Sequence, residues 1–438
     1  MTPLMNRRAF LVRSALIGCS AAASPLITPM SFASAPWDNR LVVLVLRGAM
    51  DGLDALRPVG DPDFATLRPD RLDGGTPLDG FYQLHPALAA LEPLWKTGQL
   101  GFVNAVSTPY RDKRSHFDGQ DILEAGTSGV GEASDGWLNR MLQSVPGIQA
   151  ETTYAIGRTD MLLTTGAAPV SNWSPDSRLA LSSQTERLLE LVTHEDPLFR
   201  DALGEALVLS GLVGPDTVTG GGEEMARMMQ MLESGEMSGD MSGDMAGDLS
   251  AMTEADARRA RQMLSDAAKS ARGAGGYDAL ARFAADKLKG EARIATFSIN
   301  GWDTHAVQNR TLTGPLEDLA AVILTLREEL GPVWNKTGVI AMTEFGRTAR
   351  INGTGGTDHG TAGLMLYAGG ALRGGQVAGG WPGLSEAALY ARRDLMPMSD
   401  VRAQAAGIMQ GLFGLDRNLL ETSIFPGLDM NGAAGLVL

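Results

Sequence analysis

An unbroken run of six apolar residues, LVVLVL at residues 41–46, restricts the fold of this chain more than any other feature of its sequence. Such a run is typical of a β-strand that is buried on both faces, as in parallel sheets covered by helices. Further strands are predicted at residues 100–106, 293–299, 338–342 and 364–368, and helices at residues 85–96, 115–124 and 312–330. Because strands and helices alternate, the sequence predicts an α/β fold, a three-layer α/β/α sandwich with a mostly parallel central sheet.

The N-terminal residues have the features of a twin-arginine export signal. Residues 6–11 read NRRAFL, a moderately apolar stretch follows, and SFA at residues 31–33 fits the small-x-small rule for signal peptidase. We therefore predict a signal peptide at residues 1–33 and one α/β domain at residues 34–438. The twin-arginine translocase would export this domain to the periplasm or secrete it.

The apolar stretch is not expected to remain in a membrane as a spanning helix. Pro25 and Pro29 interrupt it, and it falls short of the roughly 20 apolar residues that such a helix needs. The alternative is lipid anchoring at Cys19, because LIGC at residues 16–19 matches the pattern for lipid attachment. Cleavage after residue 33 would remove this cysteine, the only one in the chain, and the mature protein would have no disulfide.

The chain is acidic, with a formal net charge of −14 at pH 7. Removal of Arg7, Arg8 and Arg13 with the signal peptide changes the charge from −14 to −17, because residues 1–33 contain no Asp or Glu. Such a surface repels nucleic acid, so nucleic-acid binding is not expected. A small anionic substrate would need a local positive centre, such as a metal ion or an arginine cluster.

Residues 214–252 differ in composition from the rest of the chain. They contain GGG at residues 220–222 and then the repeat MSGD, MSGD, MAGD at residues 237–248. This segment buries too little apolar surface to offset the entropy of ordering it, so a flexible Met/Gly/Asp-rich insertion in the domain is predicted. The alternative is a site for a soft metal ion bound by the methionines.

Two motifs combine Asp and His where predicted strands give way to glycine-rich turns. They are GWDTH at residues 301–305 and TDHG at residues 357–360, and they hold two of only five histidines in the chain. Open α/β sheets place their ligands in turns at strand ends, and carboxylate with imidazole suits zinc or manganese better than calcium. Hydrogen-bonded Asp-His pairs or a purely structural metal would give the same pattern. The predicted metal ligands are Asp303, His305, Asp358 and His359.

Five further residues are candidates for the same site. Asp51 follows the first strand, either as a metal ligand or only as a turn former. Ser115 stands at a predicted helix start, either as a nucleophile or only as an N-cap. Arg114 and Arg347 are predicted to hold an oxyanion, and Glu344 to bind the metal or to orient one of its ligands.

Four motifs occur in the order of a known family: LRGAMDGLD, RSHFDGQD, GWDTH and EFGRTARINGTGGTDHG. They resemble the twin-arginine-exported proteins of the domain of unknown function 1501 family and, more broadly, the alkaline phosphatase superfamily, which includes sulfatases. The resemblance implies a sulfatase-like α/β/α fold with a metal-assisted site, in which Asp51 matches the first metal ligand. That superfamily usually has another His after the late Asp-His pair, whereas none follows His359. The resemblance therefore leaves three alternatives for a second metal site: it is missing, it is altered, or His85, His116 or Glu344 completes it.

These features favour an exported, metal-dependent hydrolase of phosphate or sulfate esters, acting on a small anionic ester. A divalent metal would lower the pKa of Ser115 or of water, and Arg114 or Arg347 would hold the ester oxygens. The alternative is a non-catalytic periplasmic binding or assembly protein that retains the fold with a degenerate metal site.

Overall fold

The computed structural model describes residues 36–111, 114–157, 161–174 and 276–438. The predicted signal peptide, Cys19 and the Met/Gly/Asp-rich insertion at residues 214–252 lie outside the described residues. The strands are β1 Arg40–Arg47, β2 Leu56–Arg57, β3 Thr76–Pro77, β4 Gln83–Leu84, β5 Leu100–Ser107, β6 Thr153–Ile156, β7 Ser171–Trp173, β8 Ile294–Asn300, β9 Thr337–Thr343, β10 Gly363–Ala368, β11 Val377–Ala378 and β12 Ser399–Asp400.

The α-helices are α1 Gly52–Ala55, α2 Phe64–Leu67, α3 Glu92–Lys96, α4 His116–Ala125, α5 Trp137–Gln143, α6 Tyr277–Lys289, α7 Gln308–Thr311, α8 Thr313–Leu330, α9 Val401–Phe413 and α10 Arg417–Leu419. Short 3₁₀ helices lie at Pro69–Arg71, Pro86–Leu91, Ala150–Thr152, Leu162–Thr164, Gly331–Lys336 and Met430–Gly432, and a π-helix at Leu420–Ile424. In the part of the chain that the structure describes, no helix combines the length and apolar character needed to cross a membrane.

A mixed sheet of nine strands forms the centre of the described structure, in the order β11-β5-β10-β9-β1-β8-β6-β7, with β12 also paired to β5. Strand β1 lies parallel to β8 and β9, whereas β10 lies antiparallel to β9 and β5. Residues 344–362 contain no helix that could carry the chain back along the sheet, so β10 returns antiparallel. The prediction of an α/β fold with a mostly parallel central sheet is confirmed.

Helices cover both faces of this sheet, and β1 shows why. Alternate side chains of a strand point to opposite faces. Val42, Leu44 and Leu46 pack in one hydrophobic cluster with side chains of α6 and α8. Leu41, Val43 and Val45 pack in a second cluster with α5 and α9. The six side chains are at most 1% exposed, and each contributes roughly 1.5–3 kcal/mol by burial.

The helix predicted at residues 85–96 is instead two short elements. A 3₁₀ helix covers Pro86–Leu91, and α3 begins at Glu92. Pro93 causes the break, because proline has no N–H to donate and its ring clashes with a carbonyl one turn earlier. The other predicted strands and helices lie within two residues of the observed bounds.

The strand directions bring four loops to one edge of the sheet. Because β10 is antiparallel to both of its neighbours, β5 runs in the same direction as β9, β1 and β8. The carboxyl ends of these four strands therefore share an edge with the beginning of β10. The segments that carry the polar motifs of the sequence all start or finish there.

Candidate functional site

Three side chains from three different loops meet at this edge. His116 is the first residue of α4, Asp303 follows β8, and His359 precedes β10. One possible ligand atom from each lies within 4.8 Å of the others. Asp303 Oδ1 is 3.4 Å from His116 Nε2 and 3.2 Å from His359 Nε2. We call these three residues the triad.

His305 borders the triad. Its Nε2 lies 3.0 Å from Asp303 Oδ1 and 2.9 Å from His359 Nε2. The two Asp/His motifs, about fifty residues apart in the sequence, are therefore in direct contact. The predicted companions Asp303, His305, Asp358 and His359 come together as the sequence analysis expected.

The outer nitrogen of each imidazole faces an oxygen atom of the protein. His116 Nδ1 lies 2.8 Å from Glu344 Oε1, and His359 Nδ1 lies 2.9 Å from the carbonyl oxygen of Arg114. His305 Nδ1 has a longer contact, 3.4 Å, with Asp358 Oδ1. When Nδ1 donates to such an acceptor, Nε2 keeps its lone pair, which is the tautomer that binds metal ions. Glu344 and Asp358 thus sit behind the histidines, in the orienting position.

Glu344 is fully buried and directed by the backbone around it. Its Oε1 accepts the Gly48 N–H at 2.9 Å, and its Oε2 accepts the Thr343 hydroxyl at 2.9 Å. Burial opposes ionisation, but the hydrogen bond with His116 and these donors outweigh it, so the pKa of Glu344 is lowered. An ionised carboxylate therefore holds His116 from behind.

Arg347 binds the loops of the site together from beneath. The side chain is fully buried, and its Nη2 donates to Asp303 Oδ1 at 2.6 Å. Its remaining hydrogen bonds, at 2.7–3.0 Å, are to backbone carbonyls of residues that follow β1, follow β8 or precede β10. Arg347 was predicted to hold an oxyanion, but its guanidinium already donates to protein oxygens. The carbonyl acceptors belong to Gly48, Ala49, Trp302 and Thr357.

Charges in the triad shift its pKa values in opposite directions. Burial alone would raise the pKa of Asp303, but the neighbouring His116, His359 and Arg347 hold it well below its usual range. The carboxylates of Asp303 and then Glu344 raise the pKa of His116 to about 9. Hydrogen bonding by Asn352 and the neighbouring His305 lower the pKa of Asp358.

The loops of the two motifs are joined through Asn352. Its Nδ2 donates to the carbonyl of His305 at 2.9 Å and to Asp358 Oδ1 at 3.0 Å. Gly356 lies so close that a Cβ there would be 2.3 Å from the backbone carbon of His305. Sequence reasoning missed Asn352, although the turn-forming pair Asn352-Gly353 was a signal that this segment reverses direction.

Asp51 has partners other than the triad. Its Oδ2 accepts from Arg68 Nη1 at 2.7 Å and from Gln308 Nε2 at 2.8 Å. Its Oδ1 accepts the Asp54 N–H at 3.2 Å and so caps α1. The carboxylate is 1% exposed and does not join the triad's ligand atoms within the described ranges. The structure thus places Asp51 in a buried ion pair beneath the site.

Ser115 and Arg114 lie at the start of α4. The Ser115 hydroxyl accepts the N–H of Asp118 at 3.4 Å as the N-cap, the structural role considered for it in the sequence. Arg114 contributes its backbone oxygen to His359, and its exposed guanidinium has Nη2 3.9 Å from Asp394 Oδ2. The residue has φ +63°, which turns the chain into the helix that begins with His116 of the triad.

His85, the other histidine considered for a second site, is elsewhere. It caps the 3₁₀ helix Pro86–Leu91, and its Nδ1 accepts the N–H of Ala87 at 3.1 Å. Of the two histidines, it is His116 that completes the cluster. The signal was its position at the first turn of a helix that follows a sheet strand.

The triad suits a zinc-like cation by two criteria. Zn–N and Zn–O bonds of about 2.0–2.2 Å imply ligand separations of roughly 3.3 Å in a tetrahedral site. The two Nε2 to Oδ1 separations, 3.4 and 3.2 Å, agree with this value. His116 Nε2 is also buried and has no hydrogen-bond partner in the described structure, because its nearest carboxylate oxygen, Asp303 Oδ1, is 3.4 Å away. A buried ring nitrogen of this kind is unusual unless an ion or water binds it.

Comparison with protein families gives a match over most of the described chain. Residues 105–422 match the family described as "Protein of unknown function (DUF1501)". The match spans more than half of the chain and includes α4, both Asp/His motifs and Glu344. No curated protein matches the sequence.

Proposed function

The chain belongs to the DUF1501 family, and we propose that it is a metal-dependent hydrolase of phosphate or sulfate esters. The observation that carries the proposal is the convergence of His116, Asp303 and His359 on one point, with the buried His116 Nε2 lacking a hydrogen-bond partner in the described structure. Carboxylate and imidazole together select zinc or manganese, with calcium a weaker fit.

The protein's own residues bind and orient in this proposal. His116, Asp303 and His359 hold the cation, with His305 beside them. Glu344 and the Arg114 carbonyl fix the rings from behind, as outer partners do in protein metal sites. A divalent cation, when bound, supplies Lewis acidity toward an ester oxygen and makes water more acidic.

Substrate charge is the second argument for an anionic ester. The chain has a net charge of −14, so an anion approaches only where positive charge is concentrated. Two arginines flank His359: the exposed Arg114, and Arg393, whose Nη2 donates to the His359 carbonyl at 2.7 Å. Together with a divalent cation they form such a centre. In this proposal Arg114 and Arg393 receive the ester oxygens, and Arg347 orients Asp303.

Two observations favour a second candidate, a non-catalytic periplasmic binding or assembly protein that retains the fold with a degenerate metal site. The Ser115 hydroxyl is engaged as an N-cap, and Arg347 is engaged by protein oxygens. Arg347 is therefore not free to receive an ester oxygen, and the Ser115 oxygen already accepts one backbone N–H. In the leading proposal, therefore, water and not Ser115 attacks the ester.

We also propose the cellular setting and the wider relationship. Export by the twin-arginine translocase to the periplasm, or secretion, rests on the NRRAFL motif and on the cleavage pattern at residues 31–33. An alkaline phosphatase-like architecture is supported by the mostly parallel sheet and by the ligand loops at the carboxyl ends of its strands.

The test combines metal content with ester hydrolysis. Mature protein, purified without chelator, is analysed for zinc, manganese and calcium and then assayed on a panel of phosphate and sulfate esters. His359→Ala is expected to lose the metal and the hydrolysis together, whereas His85→Gln, a histidine outside the triad, should retain both. Bound metal with no turnover would favour the binding protein. Absence of stoichiometric metal in the wild type would refute the metal-dependent hydrolase and would favour the assembly protein with a degenerate metal site.

A further inference from the structure

A cavity of about 350 Å³ lies apart from the triad and contains none of its residues. Its floor is formed by three buried side chains, Arg57, Arg71 and His85. Its rim includes Asn309 at α7 and Thr313 at the start of α8. Neither the sequence motifs nor the proposed hydrolysis assigns a role to this cavity.

Arg71 presents unused donors to the cavity. Its side chain is only 3% exposed, and its Nε donates to Asp54 Oδ2 at 2.7 Å. Its Nη1 and Nη2 make no hydrogen bond to any residue of the described ranges. Neither nitrogen is among the buried side-chain atoms that lack a partner, so both are accessible to solvent from the cavity. The outer edge of Arg71 is therefore open to a ligand in the cavity.

The buried network behind the floor contains more positive than negative charge. Three arginines surround two carboxylates, giving +3 against −2 and an excess of one positive charge. Burial opposes ionisation of Asp54, but the neighbouring arginines lower its pKa to about 2, so it is charged at neutral pH. The members of the network are Asp51, Asp54, Arg57, Arg68 and Arg71.

His85 adds a donor without adding charge. Burial lowers its pKa to about 4, so the ring is neutral at pH 7. Since Nδ1 accepts the N–H of Ala87, the proton of the neutral ring is on Nε2. The floor therefore combines one excess positive charge with several N–H donors.

We propose that this cavity is a binding site for a small oxyanion, such as phosphate, sulfate or a carboxylate. The anion balances the excess charge of the network and accepts from Arg71 at the floor. The side-chain amide of Asn309 provides further donors at the rim, where the Thr313 hydroxyl donates to the Asn309 carbonyl at 3.1 Å. Three exposed carboxylates also line the cavity and would repel bulky polyanions, so the site favours a small oxyanion. These are Asp70, Asp73 and Glu317.

The buried network behind the cavity is joined by hydrogen bonds to the loops that carry Asp303 and His359 of the triad. Gln308 Nε2 donates to Asp54 Oδ2 at 2.9 Å, and Gln308 Oε1 accepts the hydroxyls of Thr304 and Thr357 at 2.9 and 2.7 Å. These threonines directly precede His305 and Asp358. An anion that neutralises the network stabilises the folded chain, since any ligand that binds only the native state does so.

The experiment titrates the full mature protein with inorganic phosphate and with sulfate, by calorimetry and by thermal unfolding. Binding with a rise in Tm is expected for the wild type and for His359→Ala, which lacks the proposed metal centre. Removing or adding one rim charge at roughly 7 Å from the anion changes affinity about threefold at the permittivity of water. Glu317→Gln should therefore tighten binding about threefold, and Asn309→Asp should weaken it by the same factor.

Arg71→Gln should abolish binding, whereas Arg282→Gln, a change at a half-exposed arginine outside the cavity, should leave it unchanged. The two rim variants keep the test decisive if Arg71→Gln fails to fold. Absence of anion binding in the wild type would overturn the proposal. So would binding that His359→Ala removes and that neither rim variant alters, since the anion would then be at the metal centre.

Discussion

Arg347→Met is the substitution whose effect the structure specifies most closely. Methionine retains most of the apolar volume of the arginine stem and removes every hydrogen bond. Five protein oxygens lose their donor: Asp303 Oδ1 and the carbonyl oxygens of Gly48, Ala49, Trp302 and Thr357. The first four of these residues follow β1 or β8, and Thr357 precedes β10, so three loops lose their common anchor.

The expected loss in the free energy of unfolding is about 4 kcal/mol. Breaking a buried ion pair by removing one partner costs about 3–5 kcal/mol, and each carbonyl left without a donor adds about 1–3 kcal/mol. The sum is an overestimate, because Asp303 is about half exposed and water can replace part of its lost interaction. Water can also reach some of the carbonyls once the guanidinium is gone.

Urea unfolding, followed by tryptophan fluorescence, measures this loss. The wild type and Arg347→Met are both unfolded in the presence of a chelator, so that loss of a bound cation does not contribute to the difference in stability. The slope with urea should stay constant while the midpoint falls. Arg282→Met, at an arginine with 55% exposure, serves as the control and should change stability by less than about 0.5 kcal/mol. A loss below about 1 kcal/mol for Arg347→Met would refute the view that Arg347 anchors the three loops.

Three further outcomes are expected. Glu344→Gln should weaken metal binding about 10- to 100-fold in a competition titration with a chromophoric chelator, because a neutral amide holds His116 less well; unchanged affinity would contradict the orienting role. Gly356→Ala should cost about 2–3 kcal/mol in urea unfolding, because its Cβ would lie 2.3 Å from backbone of the adjoining loop, whereas Gly353→Ala meets no atom within 4 Å and should be neutral; equal effects would contradict the contact. Because the folded-state pKa of His85 is lowered from 6.5 to about 4, its contribution is complete above pH 6.5 and is lost as the pH falls toward 4. After a discount for partial solvent access, lowering the pH from 6.5 to 4 should reduce the free energy of unfolding by about 2 kcal/mol more in the wild type than in His85→Gln. Unfolding measured at both pH values tests this, and equal reductions would exclude His85 as the source of the pH dependence.

The strands could be predicted because each buried strand is a largely apolar run of consecutive residues in the sequence. The side chains of β1 pack into a hydrophobic cluster on each face of the sheet, and such packing favours a strand without polar residues at those positions. The direction of β10 in the sheet was harder to predict from the sequence. Its antiparallel direction follows from the absence of a helix in residues 344–362, which is a property of the connection and not of the strand.

The roles of the charged residues depended on contacts between distant parts of the chain. Asp51 and Arg347 both stand beside glycines in turns after strands, as functional residues often do. In the structure Asp51 accepts hydrogen bonds from Arg68 and Gln308, and Arg347 donates to carbonyls of three backbone segments. Sequence position could not distinguish these roles, because the partners lie 17 to 299 residues away.

The sequence by itself determined the α/β class, the strands and the pairing of Asp with His in two turns, since hydrophobic runs and local motifs involve neighbouring residues. Only the tertiary structure decided which histidine joins them. His116 reaches the triad because β5 shares its direction with β1, β8 and β9, so that α4 begins at the same sheet edge. Strand direction is set by pairing across the whole sheet, and no local stretch of sequence contains it.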